Sequence, residues 1–293
     1  MSHAKPAEPL EGAGDAPVVA ITDPGEAGRA EHIPGDRLIV AISNVFAWLF
    51  AVLMVVICVQ VVLRNAGRFG IGPGNQAYLD DLQWWLYGAA VLIGIGYAVT
   101  TNSHVRVDIF YDNYSRPKQV RTDIFALAWL FLPFVILCWD VTLDYALQSI
   151  SAREGANSPN GLHALYLLKT FMNLSFLFIA AATWFAYVRR LGQITRPLWW
   201  KRLLFAFPAV AFAVNLVIYY AAIGIVIATS PEPINARQAS RHWFFDTFEI
   251  GPEEMKFTVA AALVATVLII AVAYLLRDRS DAPHDPTARA ETA

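Results

Sequence analysis

Residues 38–63 read LIVAISNVFAWLFAVLMVVICVQVVL, twenty-six positions without one charged side chain. A helix needs roughly 20 mostly apolar residues to cross a hydrocarbon core of about 30 Å. In lipid only helices and closed barrels satisfy their own backbone groups, and this run lacks the alternation of a barrel strand. It is also too long for the apolar core of a cleaved signal peptide, and no early basic patch precedes it. It is read as a retained transmembrane helix.

Five further runs have the same character, at 82–100, 124–147, 165–188, 203–228 and 257–276, each bounded by charge, Gly/Pro or both. Hydrophobic residues make up 57% of the 293-residue chain and charged residues 16%. A soluble domain carries about a quarter charged residues, so the composition agrees with the runs. The fold class expected is all-α: a polytopic helical membrane protein with six transmembrane helices. Residues 1–36 are polar, acidic and rich in Pro, Gly and Ala. They cannot bury enough apolar surface to offset chain entropy and are read as a disordered tail.

Lysine and arginine set the orientation. With six spans, fifteen of them fall in the two tails and the second and fourth connections, against seven on the other side. Both N and C termini are therefore expected to be cytoplasmic. Trp199 and Trp200, beside Lys201 and Arg202, suit an interfacial anchor on that side. Among the external connections, 230–256 is long and aromatic, with Trp243, Phe244, Phe245 and Phe248 among acids. It reads as an amphipathic segment on the membrane surface or as a docking surface for a periplasmic partner.

Several function classes find no support. A net charge of −2 gives no case for nucleic acid. Cys58 and Cys138 lie inside apolar runs, where cysteine behaves as a small hydrophobe, and with six scattered histidines they make no metal cluster. Those histidines fall in tails, connections or helix ends, which argues against haem held between helices. No nucleotide-binding, metalloprotease or serine-hydrolase motif is present. No catalytic residue, cofactor or metal is assigned, and the chain is not expected to be an enzyme.

Two acids do sit well inside a span. Asp140 and Asp144, in WDVTLDY, are four apart and share one face of the third helix. Lys169 lies at matching depth on the fourth, so an Asp144–Lys169 pair with Asp140 nearby is expected. Intramembrane charges are costly and mark a function by default. Here an inter-helix or inter-subunit clamp, a coupling-ion site and simple snorkelling to the interface stay open. Asp80 and Asp81 open the second span, where acids favour a helix N-terminus, and Arg64 ends the preceding span on the same side. The second span itself is rich in small residues, with Gly88, Ala89, Ala90, Gly94 and Gly96 allowing close helix approach.

The stretch DDLQWWLYGAAVLIGIGYAVTTNSHVRVDIF, from Asp80 to Phe110, resembles the small permease (DctQ-like) subunit of tripartite ATP-independent periplasmic, or TRAP, transporters. The acidic opening is Asp80 and Asp81, the aromatics are Trp84 and Trp85, and the closing string is His104, Arg106, Val107 and Asp108. A basic, Pro-containing connection, YSRPKQVR, follows as in the family. The likeness covers about residues 38–190 and implies a four-helix small-permease core. It implies a large permease subunit and a periplasmic substrate-binding protein as partners, alongside membrane lipids, and ion-coupled uptake of an organic acid across the bacterial inner membrane. It also implies a scaffold role, with His104, Arg106 and Asp108 free to bind helix ends, lipid phosphates or the partner subunit.

The chain departs from that pattern in its long tail and in two extra spans. The organisation expected is 1–36 tail, 37–192 core, 193–279 two additional helices with an external connection, and 280–293 cytoplasmic tail. The added spans carry only isolated polar residues such as Asn215 and Thr266 and read as a scaffold extension. A membrane anchor or electron-transfer subunit of a respiratory complex is the alternative, and a stand-alone transporter a third reading. A self-sufficient transporter would show interrupted spans and internal repeats, which the sequence does not clearly show.

Overall fold

The long apolar runs are helical, two of them with interruptions, in the computed structural model, which describes residues 29–72, 76–104, 111, 113–156, 160–231, 234–250 and 252–277. Most of the expected N-terminal tail and all of 280–293 lie outside the described residues. Among the described residues six helices are long and apolar enough to cross a membrane: Pro34–Arg68, Ala77–Thr101, Arg116–Ala152, Leu165–Ile194, Phe207–Thr229 and Phe257–Leu275. The chain is an all-α, multi-pass membrane protein. Large side chains such as Trp48, Val55, Trp84, Val141 and Val217 stand exposed on these helices. In water each would forgo about 1.5–3 kcal/mol of burial. In lipid the outer face meets a solvent as apolar as leucine, and nothing is lost.

Helix α1, Pro34–Arg68, starts four residues before the run of 38–63. Proline suits a first helical turn because its missing N–H would have no partner there. Asp36 adds a cap, its Oδ2 accepting the Ile33 N–H at 3.1 Å. Residues 29–31 form a short 3-10 turn, and His32 and Asp36 are buried, so order reaches into the segment read as tail. Helix α2, Ala77–Thr101, ends at Asn102 with φ 58°. Asparagine tolerates this left-handed cap conformation better than most residues.

The third span has three parts: α3 (Arg116–Phe125), a π-helical turn (Ala126–Phe131) and α4 (Leu132–Ala152). Pro133 lies in the first turn of α4. It lacks the N–H that a continuous helix would use and crowds the carbonyl four residues back, and a π turn just before it absorbs the fault. Helix α5, Leu165–Ile194, is the central and most buried span, packed against α1, α2, α3, the π turn and α4. Together with α1 and α2 these elements form a four-helix core.

The remainder packs on one side of that core. The run 203–228 is not one helix: α6 (Trp199–Phe205) turns at Ala206 into α7 (Phe207–Thr229), with Pro208 in the first turn of α7. Helix α7 packs on α4 and the π turn, and α9 (Phe257–Leu275) packs on α7 and α6. The connection 230–256 is not one amphipathic helix. It holds the four-residue α8 (Ala236–Ala239), a 3-10 turn at Trp243–Phe245, and a hairpin of β1 (Thr247–Ile250) and β2 (Glu253–Lys256). The register pairs Phe248 with Met255, and only positions 251 and 252, a Gly-Pro turn in sequence, separate the strands.

Candidate functional site

Charged and polar side chains gather at the two ends of the core, one set around Asp36 and Arg189, the other around Lys169. At the first end, Arg189 of α5 points between the start of α1 and the end of α2. Its Nη1 lies 3.0 Å from Asp36 Oδ2, with the Asp36 side chain fully buried and that of Arg189 9% exposed. Its Nη2 donates to the Thr100 carbonyl at 2.6 Å, one of the terminal α2 carbonyls that have no intrahelical donor. One guanidinium therefore ties three helices. The Asp36–Arg189 contact is close enough for an ion pair but off the line of a hydrogen bond, and Asp36 Oδ1 has no donor among the described residues. Beside it, burial and then the Arg189 cation push the His32 imidazole below its ordinary 6.5.

The neighbouring Arg190 places Nε 3.5 Å from Asp123 Oδ2 on α3, and the Tyr111 hydroxyl donates to both Asp123 oxygens at 3.0 Å. A small cavity of about 70 Å³ lies between these groups, lined by Val99, Asn102, His104, Asp123, Arg189 and Arg190 among others. His104 of the HVRVD string thus meets the arginine pair. Arg106 and Asp108, from the same string, lie outside the described residues. A cavity of this size with two cations and an acid holds water or a single small polar group; its chemistry is that of a polar joint between helix ends.

At the opposite end Asp80 sits 3.8 Å from Arg64 Nη2, the pairing expected from sequence. Gln60 Nε2 also donates to Asp80 Oδ1 at 2.5 Å, and Gln83 donates to Gln60, so a polar chain joins α1 to α2. Asp81 accepts the Leu162 N–H at 3.0 Å and pins the loop before α5.

Lys169 does not pair with Asp144. It forms an ion pair with Glu154, and its ammonium lies 3.9 Å from the Tyr145 ring centroid. Ser149 Oγ donates to the same Glu154 carboxylate at 2.7 Å, and the lysine hydrogen bond holds Glu154 below its ordinary range. The reason is rotational. Tyr145 stands one position, about 100°, around α4 from Asp144, Ser149 lies one turn beyond Tyr145, and that face meets α5. Arg153, at φ 45°, then turns the chain so that Glu154 reaches back to Lys169.

Asp140 and Asp144 look elsewhere. Asp140 Oδ1 accepts the Tyr220 hydroxyl of α7 at 2.5 Å, and the Trp139 and Tyr220 rings meet edge to face at 6.3 Å. Asp144 accepts from Gln148 one turn on, at 2.7 Å. Asp140 therefore serves the added helices, while Asp144 bonds within its own helix. Two further contacts attach them: Trp129 Nε1 of the π turn donates to the Phe205 carbonyl at 2.8 Å, and the buried Tyr187 hydroxyl donates to the Arg202 carbonyl at 2.8 Å. The Phe205 carbonyl ends α6, so the break before Pro208 exposes an acceptor that the indole fills.

Of the small residues on α2, Gly96 and Ala90 are buried, and a Cβ on Gly96 would lie 2.5 Å from the Phe178 ring of α5. Gly88 and Gly94 face open space. Residues not singled out from sequence carry several joints, chiefly Asp36, Arg189, Glu154 and Asn173. Asn173 Nδ2 donates to the Trp139 carbonyl at 2.8 Å and to Thr142 Oγ1 at 2.9 Å. A lone Asn inside an apolar run was the available signal, because an amide in lipid needs a partner.

Residues 53–190 match the family model described as "Tripartite ATP-independent periplasmic transporters, DctQ component". Comparison with curated proteins and with solved structures gives no match. The matched segment begins within α1 and ends at Arg190, the second of the two core arginines, before α6 starts. It spans the joints made by Asp80, Asp123, Glu154, Lys169 and Arg189. Residues 53–190 of the chain thus form a DctQ-like domain, similar to a component of TRAP transporters.

Proposed function

We propose that this chain is the small membrane subunit of a TRAP transporter in the bacterial inner membrane. It supports a large permease subunit that takes up an organic acid, coupled to an ion gradient, after delivery by a periplasmic binding protein. The observation that carries the reading is the coincidence of the family match with the four-helix core. The lysine and arginine asymmetry supports cytoplasmic termini; in this reading the Arg189 end faces inward and the Lys169 end outward. Residues 37–192 act as the family core and 193–279 as an added unit.

In this reading the polar residues are structural or face a subunit. Asp80, Asp81 and Lys169 hold the outer end of the core, Asp140 holds the added helices, and Asp144 beside it is left to a structural or subunit-facing role. His104 sits at the inner end, and the string it opens, with Arg106 and Asp108, is assigned to the large subunit or to lipid phosphates. Affinity purification from the native membrane followed by mass spectrometry tests the proposal. Co-recovery of a much larger hydrophobic permease is expected. Recovery alone, or with redox subunits and a bound haem spectrum, overturns it.

A further inference from the structure

Helices α6 and α9 meet at the end of the molecule where Arg189 lies, and they leave an open groove of about 720 Å³. Leu198, Leu268, Ile269, Val272 and Leu276 give it apolar walls, and Trp199, Trp200 and Arg277 line it as well. The volume falls within the roughly 300–1,000 Å³ typical of small-molecule sites. Among the described residues no acid contributes to the lining. The mouth is basic: the Arg277 guanidinium stacks 3.8 Å from the Tyr274 ring centroid, and Tyr274 meets Trp200 edge to face at 5.2 Å. Arg202 lies 4.8 Å from the Trp199 ring centroid and Lys201 5.6 Å from that of Trp200. No carboxylate of the described residues forms an ion pair with Lys201, Arg202 or Arg277.

Hydrocarbon walls below, tryptophans at the level of a membrane interface and three cations above match one kind of molecule. We propose that the groove holds an anionic glycerophospholipid, an acyl chain lying against α9 and the phosphodiester near Arg277, with Lys201 and Arg202 beside it. Aromatic side chains settle at headgroup depth, and each basic residue near an anionic lipid surface contributes independently. A protein occupant would have to bring an acidic tip to the same depth in the bilayer. The lipid is already there. The site lies in the added helices, outside the family match, and does not depend on what the complex transports.

Native mass spectrometry of the full chain in mild detergent tests this, with phosphatidylglycerol and phosphatidylcholine of identical acyl chains titrated separately, and inorganic phosphate as a third probe. Phosphatidylglycerol is expected to be retained in preference to phosphatidylcholine, and phosphate alone not to bind. Arg277→Gln should reduce that preference by about fivefold, the factor one basic residue supplies. Ala273→Phe, which fills the groove, should abolish retention of both lipids. Arg277 stands past the last turn of α9, so its substitution remains decisive if Ala273→Phe fails to fold. Equal retention of the two lipids, adducts unchanged in Arg277→Gln, or a chain dimer that persists through lipid titration and is lost in Ala273→Phe would each overturn the proposal.

Discussion

The four-helix core and the helices added to it are built by different rules. In the core, buried ionic and amide groups cross between helices: Asp36 to Arg189, Asp123 to Arg190, Glu154 to Lys169, and Asn173 to the α4 backbone. Among the described residues the added unit is joined to the core by hydrogen bonds from Trp129, Tyr187 and Tyr220, the first two to main-chain carbonyls. Between α7 and α9 the buried residues are small or apolar, such as Ala209, Leu216 and Ala262, and the Thr266 hydroxyl bonds within its own helix. Lipid supplies no hydrophobic force to press helices together, so packing and polar contacts must do it. The core is specified residue by residue. The added helices are specified by shape and by a few latches.

The largest test of this contrast is Arg189→Ala. It leaves the buried Asp36 carboxylate without its cation and Thr100 without its donor, and should cost about 3–5 kcal/mol. Thermal melting in mild detergent should fall for the whole chain, and Asp36→Asn in the same background should recover part of the loss. If Arg189→Ala melts like the parent, the buried pair is not what ties α1 and α2 to α5. Asn173→Leu should have a smaller effect on the same melt, about 1 kcal/mol, because an amide clip in lipid is worth that order.

Tyr220→Phe should cost about 0.6 kcal/mol, near the average for hydrogen bonds between membrane helices. Its effect should be local: faster hydrogen exchange in α7 and α9, with exchange in α5 unchanged. Equal acceleration across α5 would erase the distinction between core and added unit.

The smallest expected effect separates the two ends of the core by pH. His32 is held below its ordinary 6.5, so the folded end prefers the neutral ring. The opened form takes the proton first, and the stability His32 contributes is present above about 6.5 and lost as pH falls through its lowered value. Glu154 is held below its ordinary 4.5, so its contribution is present above 4.5 and lost only in stronger acid. Acidification should therefore loosen the start of α1 before the Glu154 turn. Hydrogen exchange around residues 32–40 between pH 7 and 5 checks this, and His32→Gln should remove the step.

The spans were legible because a bilayer imposes length and apolarity on a helix directly, as in 38–63 and 165–188. Their interruptions were less so. Pro208 and Pro133 were visible, but whether a proline opens a helix, kinks it or induces a π turn depends on what stands ready to take the freed carbonyl. The polar joints divided similarly. Arg64 and Asp80 were readable because both cap adjacent helix ends on one side of the membrane. The partner of Lys169 was not, because the four-residue spacing of Asp140 and Asp144 defines a shared face without saying which neighbour that face meets. Tyr220, one of two adjacent tyrosines in an otherwise apolar run, answers for Asp140, and its hydroxyl was the overlooked clue. Arg189 entered the sequence reading only as one unit of topological charge, although its position at the end of the central helix makes it the joint of three.

The π turn at Ala126–Phe131 acts as an indexing mark on the third span. It inserts one residue beyond α-helical repeat, so α3 and α4 run out of phase by about 100°. Deleting a single residue from that segment would remove the π turn, set Pro133 against a regular helical turn, and rotate everything beyond it. Asp140 would turn away from Tyr220, and Tyr145 and Ser149 away from α5. A deletion of one apolar residue, invisible to a hydropathy profile, would thus exchange the helix faces offered to the core and to the added unit. Length variation along this span should be tolerated at its ends and refused at its middle.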